Sequence, residues 1–255
     1  MKINIIVKRI LFLIAVIGIW QLIFVTGVFP DIILPSPAQI ATALFEGFTS
    51  GDLVQALGAS LKHLLIGLSL AILFGTILGV IFGKSNQADE TAGMYLIALQ
   101  SIPSIVWVPL AIMLFGFSEF AVVFVVVLGG TFVMALNVRT AIHNVSPQLI
   151  RAARTMGTRG FSLFRRVEIP ASIPYFMQGV RLAWAFSWRA LMAGELLSNG
   201  PGLGYSLRYA QDYARMDQVI GIIIIIGVIG AVVDQLVFSK LEKNVMQRWG
   251  LRTKA

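Results

Sequence analysis

The 255-residue chain contains no cysteine, so neither a disulfide framework nor thiolate chemistry is open to it. It holds only two histidines, His63 and His143, and 12 acidic residues. No H-E-x-x-H run, acidic pair or serine–histidine arrangement appears, so the convergent groups that a membrane-embedded enzyme needs are not visible. Charge of either sign is scarce, at 13% of residues. With 57% hydrophobic residues and a mean hydropathy of +0.85, the composition argues against a water-soluble globule and makes a bilayer the solvent.

What the chain does have is long apolar runs. A helix needs about 20 mainly apolar residues to cross a hydrocarbon core of roughly 30 Å. Six stretches qualify: residues 10–29, 64–82, 94–117, 120–138, 175–197 and 219–238. The third carries Pro103 and Pro109, and a turn near Gly116, Ser118 and Glu119 separates it from the fourth. The fifth is the weakest, because Arg181, Arg189 and Glu195 lie within it; the sixth contains Asp234. The expected fold is therefore all-α, a polytopic membrane protein whose residues 1–255 form a single transmembrane domain of six helices.

Basic residues beside helix ends are retained on the cytoplasmic side. The amino end with Lys2, Lys8 and Arg9, the connection at Lys84, the stretch from Arg139 through Arg181 and the tail from Lys240 hold 16 of the 20 Lys and Arg residues. Lys62, Arg208 and Arg215 fall on the other side, which places both termini in the cytoplasm. The net charge of +8 thus reports topology, and the chain lacks the basic and aromatic surface of a nucleic-acid reader. A cleavable signal peptide fits poorly, since the first apolar run exceeds the usual 7 to 15 residues and no small-x-small site follows it.

Local signals add detail. In Leu34-Pro35-Ser36-Pro37, Ser36 suits a helix N-cap and Pro37 its first turn. Ile40, Leu44 and Phe48 then recur at helical spacing, as in an amphipathic helix on the outer membrane surface or a connecting helix. Gly67, Ala71, Gly75, Gly79 and Gly83 recur every four residues and form a ridge that another helix can approach closely. The segment from Gly79 to Ser85 looks like a phosphate-binding loop. However, it has three residues between its glycines where the Walker pattern needs four, and no strand before it.

Residues 144–172 form a long polar loop. Ser146 and Pro147 start a helix, Gly157 can end it in the left-handed conformation, and Pro170 stops a second short helix from about Phe161. Leu149, Ile150, Ala153 and Met156 share one face of the first helix, opposite Gln148, Arg151 and Thr155. Too short and too polar to cross a membrane, the pair must dock on the bundle, on lipid or on another protein.

This loop resembles the EAA motif of ATP-binding-cassette importer permeases, in which Glu-Ala-Ala, three residues, Gly, nine residues and Ile-x-Leu-Pro form the docking helix for the ATPase. Ala152, Ala153, Gly157 and Pro170 match at that spacing, with Val167 and Ile169 as conservative replacements, while Arg151 stands where the motif has Glu. Leu34-Pro35-Ser36-Pro37, Ile102-Pro103 to Phe115-Gly116, Pro201-Gly202-Leu203-Gly204 and Leu241-Glu242 extend the likeness to the sulfonate, taurine and nitrate branch. The resemblance implies a type I ABC importer permease fold, with Arg151, Ala152, Ala153, Arg154, Gly157, Val167, Ile169 and Pro170 in the ATPase-coupling loop. It also implies a homodimer in the bacterial cytoplasmic membrane, two ATPase subunits and an extracytoplasmic solute-binding protein. By the same resemblance no cofactor is expected in this chain, ATP and Mg are expected in the partner ATPase, and the expected cargo is a small solute such as a sulfonate, taurine or nitrate.

Charges inside a bilayer cost several kcal/mol unless partnered or wet. Arg181 and Asp234 lie at similar depth and suit an ion pair. Candidates for a translocation path are Gln100, Ser101 and Ser104 beside Pro103, and Trp184, Trp188, Arg189 and Glu195 on the fifth span. Arg181, Trp184, Trp188 and Glu195 share a helical face that suits packing as well as a pathway. A membrane-embedded enzyme and a passive channel are the alternative functions.

Overall fold

A computed structural model describes residues 5–249, which form twelve α-helices and no strand. Lys2, Arg252 and Lys254, used above for orientation, lie outside the described residues. In chain order α1 is Ile5–Val25, α2 Pro37–Thr49, α3 Asp52–Lys84, α4 Asn86–Gln100, α5 Val108–Phe115 and α6 Glu119–His143. Then follow α7 Pro147–Thr155, α8 Gly160–Leu163, α9 Ile169–Leu196, α10 Leu203–Asp212, α11 Met216–Val233 and α12 Ser239–Arg248.

Four helical stretches are long and apolar enough to cross a membrane: Val7–Val25, Asp52–Lys84, Glu119–His143 and Met216–Arg248. The third expected span is one broken element, since α4 and Ser104–Phe115 pass the same test together but meet at a bend of 98°. Pro103 explains the break: it has no amide hydrogen to donate, and its ring disfavours helical geometry at Ile102. The fifth expected span, α9, has 28 residues, ample length for a crossing, and three charges.

Helices α3, α6 and α9 form the centre, with α6 packed along both of the others. The glycine ridge of α3 lies against α6. A Cβ at Gly75 would stand 2.7 Å from the carbonyl oxygen of Thr131, and one at Gly79 would stand 2.6 Å from that of Ala135. Because the obstruction is backbone, no side-chain rotation could relieve it, and only glycine permits this approach. The segment resembling a phosphate-binding loop is therefore the end of a packed helix. Leu64, Met134, Val126 and Leu191 fill the interface at 0–1% exposure.

Around this centre, α2 carries the capping box that its sequence suggests. The Ser36 amide donates to the Gln39 side chain, and the Gln39 amide donates to the Ser36 hydroxyl. Ile40 and Ala43 are buried, and Leu44 reaches Gly221 of α11, so the apolar face of α2 docks largely on protein, while Phe45 and Phe48 stay exposed. Helix α1 is exposed along its length and is held to the rest by the Trp20 indole, which donates to the Pro35 carbonyl at 3.2 Å.

Pro170 does not stop a helix. The chain is helical from Gly160 to Leu196, passing through a wide π-turn at Phe164–Glu168 in which the Ile169 amide reaches the carbonyl of Phe164. A proline in an ordinary α-helix would clash with the carbonyl four residues back; the extra residue in the turn gives that carbonyl room.

Candidate functional site

At one end of the bundle, α7 projects beyond the end of α6. Ser146 occupies its N-cap position without a side-chain bond, and Pro147 fills the first turn. Gly157 closes the helix at φ +85°, its amide donating to the carbonyl of Arg154 while Thr158 donates to Ala153, both at 3.0 Å. This reverse pair of bonds needs a left-handed residue between them, which is why glycine stands there. Ala153 is buried and Ile150 half-buried, but Leu149 and Met156 of the expected inner face are exposed. With Arg151, Ala152, Arg154 and Phe161 also exposed, α7 and its return present apolar and basic groups outward together.

The return strand of the loop holds a group that sequence reasoning missed. Glu168 is only 7% exposed, and the ammonium of Lys84, at the end of α3, donates to its carboxylate at 2.6 Å. The same ammonium lies 5.2 Å from the centre of the Phe164 ring. Val167 beside it is half-buried.

At mid-height, a cavity of about 320 Å³ opens between the break after α4, the middle of α6 and α9. Gln100, Ser101, Ser104 and Arg189, four of the pathway candidates, line it together with Trp107 and Phe132. Arg189 is exposed, with its guanidinium 5.7 Å from the centre of the Phe186 ring. No ion pair among the described residues includes it.

The other three candidates lie elsewhere. Trp184 and Trp188 are buried and stacked on each other at 5.6 Å, with Phe238 stacked on Trp184 at 5.2 Å. Within this chain they pack between α9 and the end of α11, Trp184 against Phe238 and Trp188 beside Gly230, away from the cavity that holds the other four. Lower on this face the expected ion pair is present as a triad: Arg181 donates to both Asp234 oxygens at 2.8 Å and to Glu242 at 2.7 Å.

Glu195 is fully buried at the end of α9 opposite the loop. It accepts from the Ser60 hydroxyl at 2.7 Å and from the Gly204 amide at 3.0 Å, and it lies 3.0 Å from Nδ1 of His63. Ser60 in turn accepts from the Leu203 amide at 2.8 Å. A Cβ at Gly204 would stand 2.6 Å from that of Glu195, and one at Gly202 would strike its carboxylate. The Pro201-Gly202-Leu203-Gly204 turn is thus a backbone cradle for a buried carboxylate, at the N-terminus of α10 where the helix dipole favours negative charge. Next to it, a cavity of about 580 Å³ lies between α2, α3, α10 and α11, with Asp52, Arg215 and the tyrosines 205, 209 and 213 in its wall. The tyrosines recur every four residues, a signal present in the sequence. The Tyr213 ring, 4.5 Å from that of Tyr209, holds the Tyr209 hydroxyl above the usual phenol range.

A bundle of long apolar helices with a basic amphipathic loop at one end, and a cavity whose mainly apolar wall carries Gln100, Ser101, Ser104 and Arg189, fits the class of membrane transport subunits. The chain belongs to the family of inner membrane components of binding-protein-dependent transport systems, whose family model matches residues 71–239. It is 33% identical over 222 residues to a protein named as an ABC transporter permease, MJ0413, of Methanocaldococcus jannaschii, covering 85% of this chain and 83% of that protein. It is also 33% identical over 236 residues to a protein named as an aliphatic sulfonates transport permease, SsuC, of Escherichia coli K12, covering 92% and 89%. The fold is shared with the inward-facing MetNI methionine ABC transporter at a TM-score of 0.66 and 17% identity, over 76% of this chain and 95% of that one. The protein is a permease subunit of an ABC importer.

Proposed function

We propose that two copies of this chain enclose a pathway for a small anion, an aliphatic sulfonate such as taurine or an oxyanion such as nitrate. Two ATPase subunits, with their ATP and Mg, dock on α7, and a solute-binding protein delivers cargo to the opposite face; both termini lie in the cytoplasm. The observation that supports the substrate class is Arg189, a cation with no ion-pair partner among the described residues, in a cavity beside Gln100, Ser101 and Ser104. A lone charge at that depth requires a counter-ion or water. The guanidinium fork suits a planar or tetrahedral oxyanion, and the amide and hydroxyls supply neutral donors around it.

The test is uptake of taurine, ethanesulfonate and nitrate by the importer reconstituted with its ATPase and binding protein. Arg189→Gln lowers uptake of the transported anion by about tenfold or more, as loss of a charge-assisted contact does, while complex assembly is unchanged. Uptake at the wild-type level would refute the assignment. The coupling role of the loop is tested by Gly157→Val, since a Cβ at φ +85° costs roughly 1 kcal/mol or more and re-aims α7. The bundle inserts and dimerises, but transport is lost, through weaker ATPase binding or hydrolysis that no longer responds to loaded binding protein. Wild-type transport and ATPase activity together would remove α7 from the mechanism.

A further inference from the structure

The coupling loop has to pass its displacement to helices that span the whole bundle. Helix α7 itself packs mainly on the return segment, α8 and the π-turn. The return segment continues into α9 through that π-turn, which is a distorted joint, whereas α3 is a single unbroken helix of 33 residues locked on α6 through its glycines. Between the joint and the end of α3 stands one charged contact, Lys84 to Glu168 at 2.6 Å, with Phe164 of the same turn beneath the ammonium. Glu168 is nearly inaccessible, with a side-chain exposure of 9%, and Lys84 is its one cation within 4 Å among the described residues. The carboxylate of a buried glutamate held by one cation cannot part from it cheaply, so the two groups move together.

Resting on the reading of α7 as the ATPase dock, we propose that the Lys84–Glu168 pair is the tie that carries loop motion into α3. Lys84 and Glu168 are positioning residues for coupled transport: they touch neither nucleotide nor cargo. The π-turn serves the same end. It accommodates Pro170 and carries Glu168, so the ion pair joins the loop to α3 directly, beside the covalent connections of α7 to α6 through residues 144–146 and of the π-turn to α9.

The experiment uses the complete importer in lipid nanodiscs, with the partner subunits' own cysteines replaced; this chain has no native cysteine, so each spin label in it sits only where one is introduced. Pairs of labels across the dimer report the loop through Thr155→Cys and the far end of α3 through Val54→Cys, both exposed positions. In the wild type, ATP with vanadate shifts both distances. In Lys84→Met and in Glu168→Gln, the ATPase stays bound and the Thr155 distance still shifts, but the Val54 shift is lost. The charge swap Lys84→Glu with Glu168→Lys restores it. A Val54 shift that persists in both single variants overturns the tie, as does loss of ATPase binding in them, which makes the pair a static prop of the loop. A swap that fails to restore the shift also overturns it, since paired charge is then not what transmits. If the wild type shows no Thr155 shift, the reading of α7 as the ATP-driven element has failed and the tie falls with it; a wild-type shift separates the two failures.

Discussion

Helices α1 and α9 are near opposites. Helix α1 is the more uniformly apolar, with no charge between Ile10 and Val25, yet it is exposed along its length and meets the rest mainly through Trp20 and α2. Helix α9 carries Arg181, Arg189 and Glu195, and it lies at the centre of the bundle with Ala183, Ala190, Leu191 and Glu195 at 0% exposure. In water the order would be reversed. In lipid, an apolar side chain gains little from burial against protein, whereas a polar one has no other place to be satisfied. Charge within a span therefore marks a helix that needs protein partners, whereas apolarity alone does not separate the lipid-facing α1 from α6, which is uncharged from Phe120 to Val138 and yet packs along both α3 and α9.

That contrast can be tested. The largest effect is expected from Glu195→Ala, which strips acceptors from the Gly204 amide and the Ser60 hydroxyl at a cost of about 1–3 kcal/mol for each buried donor left unpaired. Thermal unfolding in detergent falls steeply, and α10 becomes accessible to protease. A midpoint unchanged from wild type would show that the cradle contributes nothing. Next is the Arg181–Asp234 pair. Single alanine changes each destabilise, and the double change costs less than their sum by about 0.5–3 kcal/mol, near the lower figure because the two side chains keep 33% and 27% of their surface exposed. Additive losses would mean that the contact is energetically idle. The smallest effect is expected from Leu13→Ala on α1: the side chain is 59% exposed, so the bundle's midpoint moves by less than about 0.5 kcal/mol equivalent. A drop as large as that of Glu195→Ala would break the contrast and make α1 part of the core.

How far the fold is legible in the sequence follows the same division. Apolar length locates the helices α1, α3, α6 and α11, and glycine spacing identifies the face of α3 that meets α6. Bounds drift where helices run on into polar residues: α3 begins at Asp52, well before its apolar run at Leu64, because its first turns pack on α2 and α10 instead of crossing lipid. The 98° break after α4 is signalled by Pro103, but its angle is set by packing on α6. Gly157 has the backbone that its position in the loop suggests, while Pro170 misleads, since a π-turn has no sequence signature of its own. Of the pathway candidates, those beside a helix break and Arg189 converge on a cavity. Helical spacing places Trp184, Trp188 and Glu195 on one face but does not tell that all three are buried within the chain. The Lys84–Glu168 and Ser60–His63–Glu195 contacts join residues 84 and at least 132 positions apart, and nothing local announces them.

The cradle around Glu195 also bears on how the protein reaches its membrane. A charge at the centre of a crossing helix opposes insertion by roughly 2.5–3.5 kcal/mol and less toward its ends, so Glu195, next to last in α9, depends on its partners less for entry into lipid than for its burial in protein. The partners of α9 arrive at different times. Ser60 and His63 are synthesised long before it, the Gly202–Gly204 turn comes immediately after, and Asp234 and Glu242 come last of all. The contacts of α9 are therefore completed in chain order: Ser60 and His63 of α3 are already made when Glu195 appears, whereas Asp234 and Glu242, the partners of Arg181, follow only with the last two helices. A chain truncated before Asp234 would leave Arg181 of α9 without either carboxylate that now holds it.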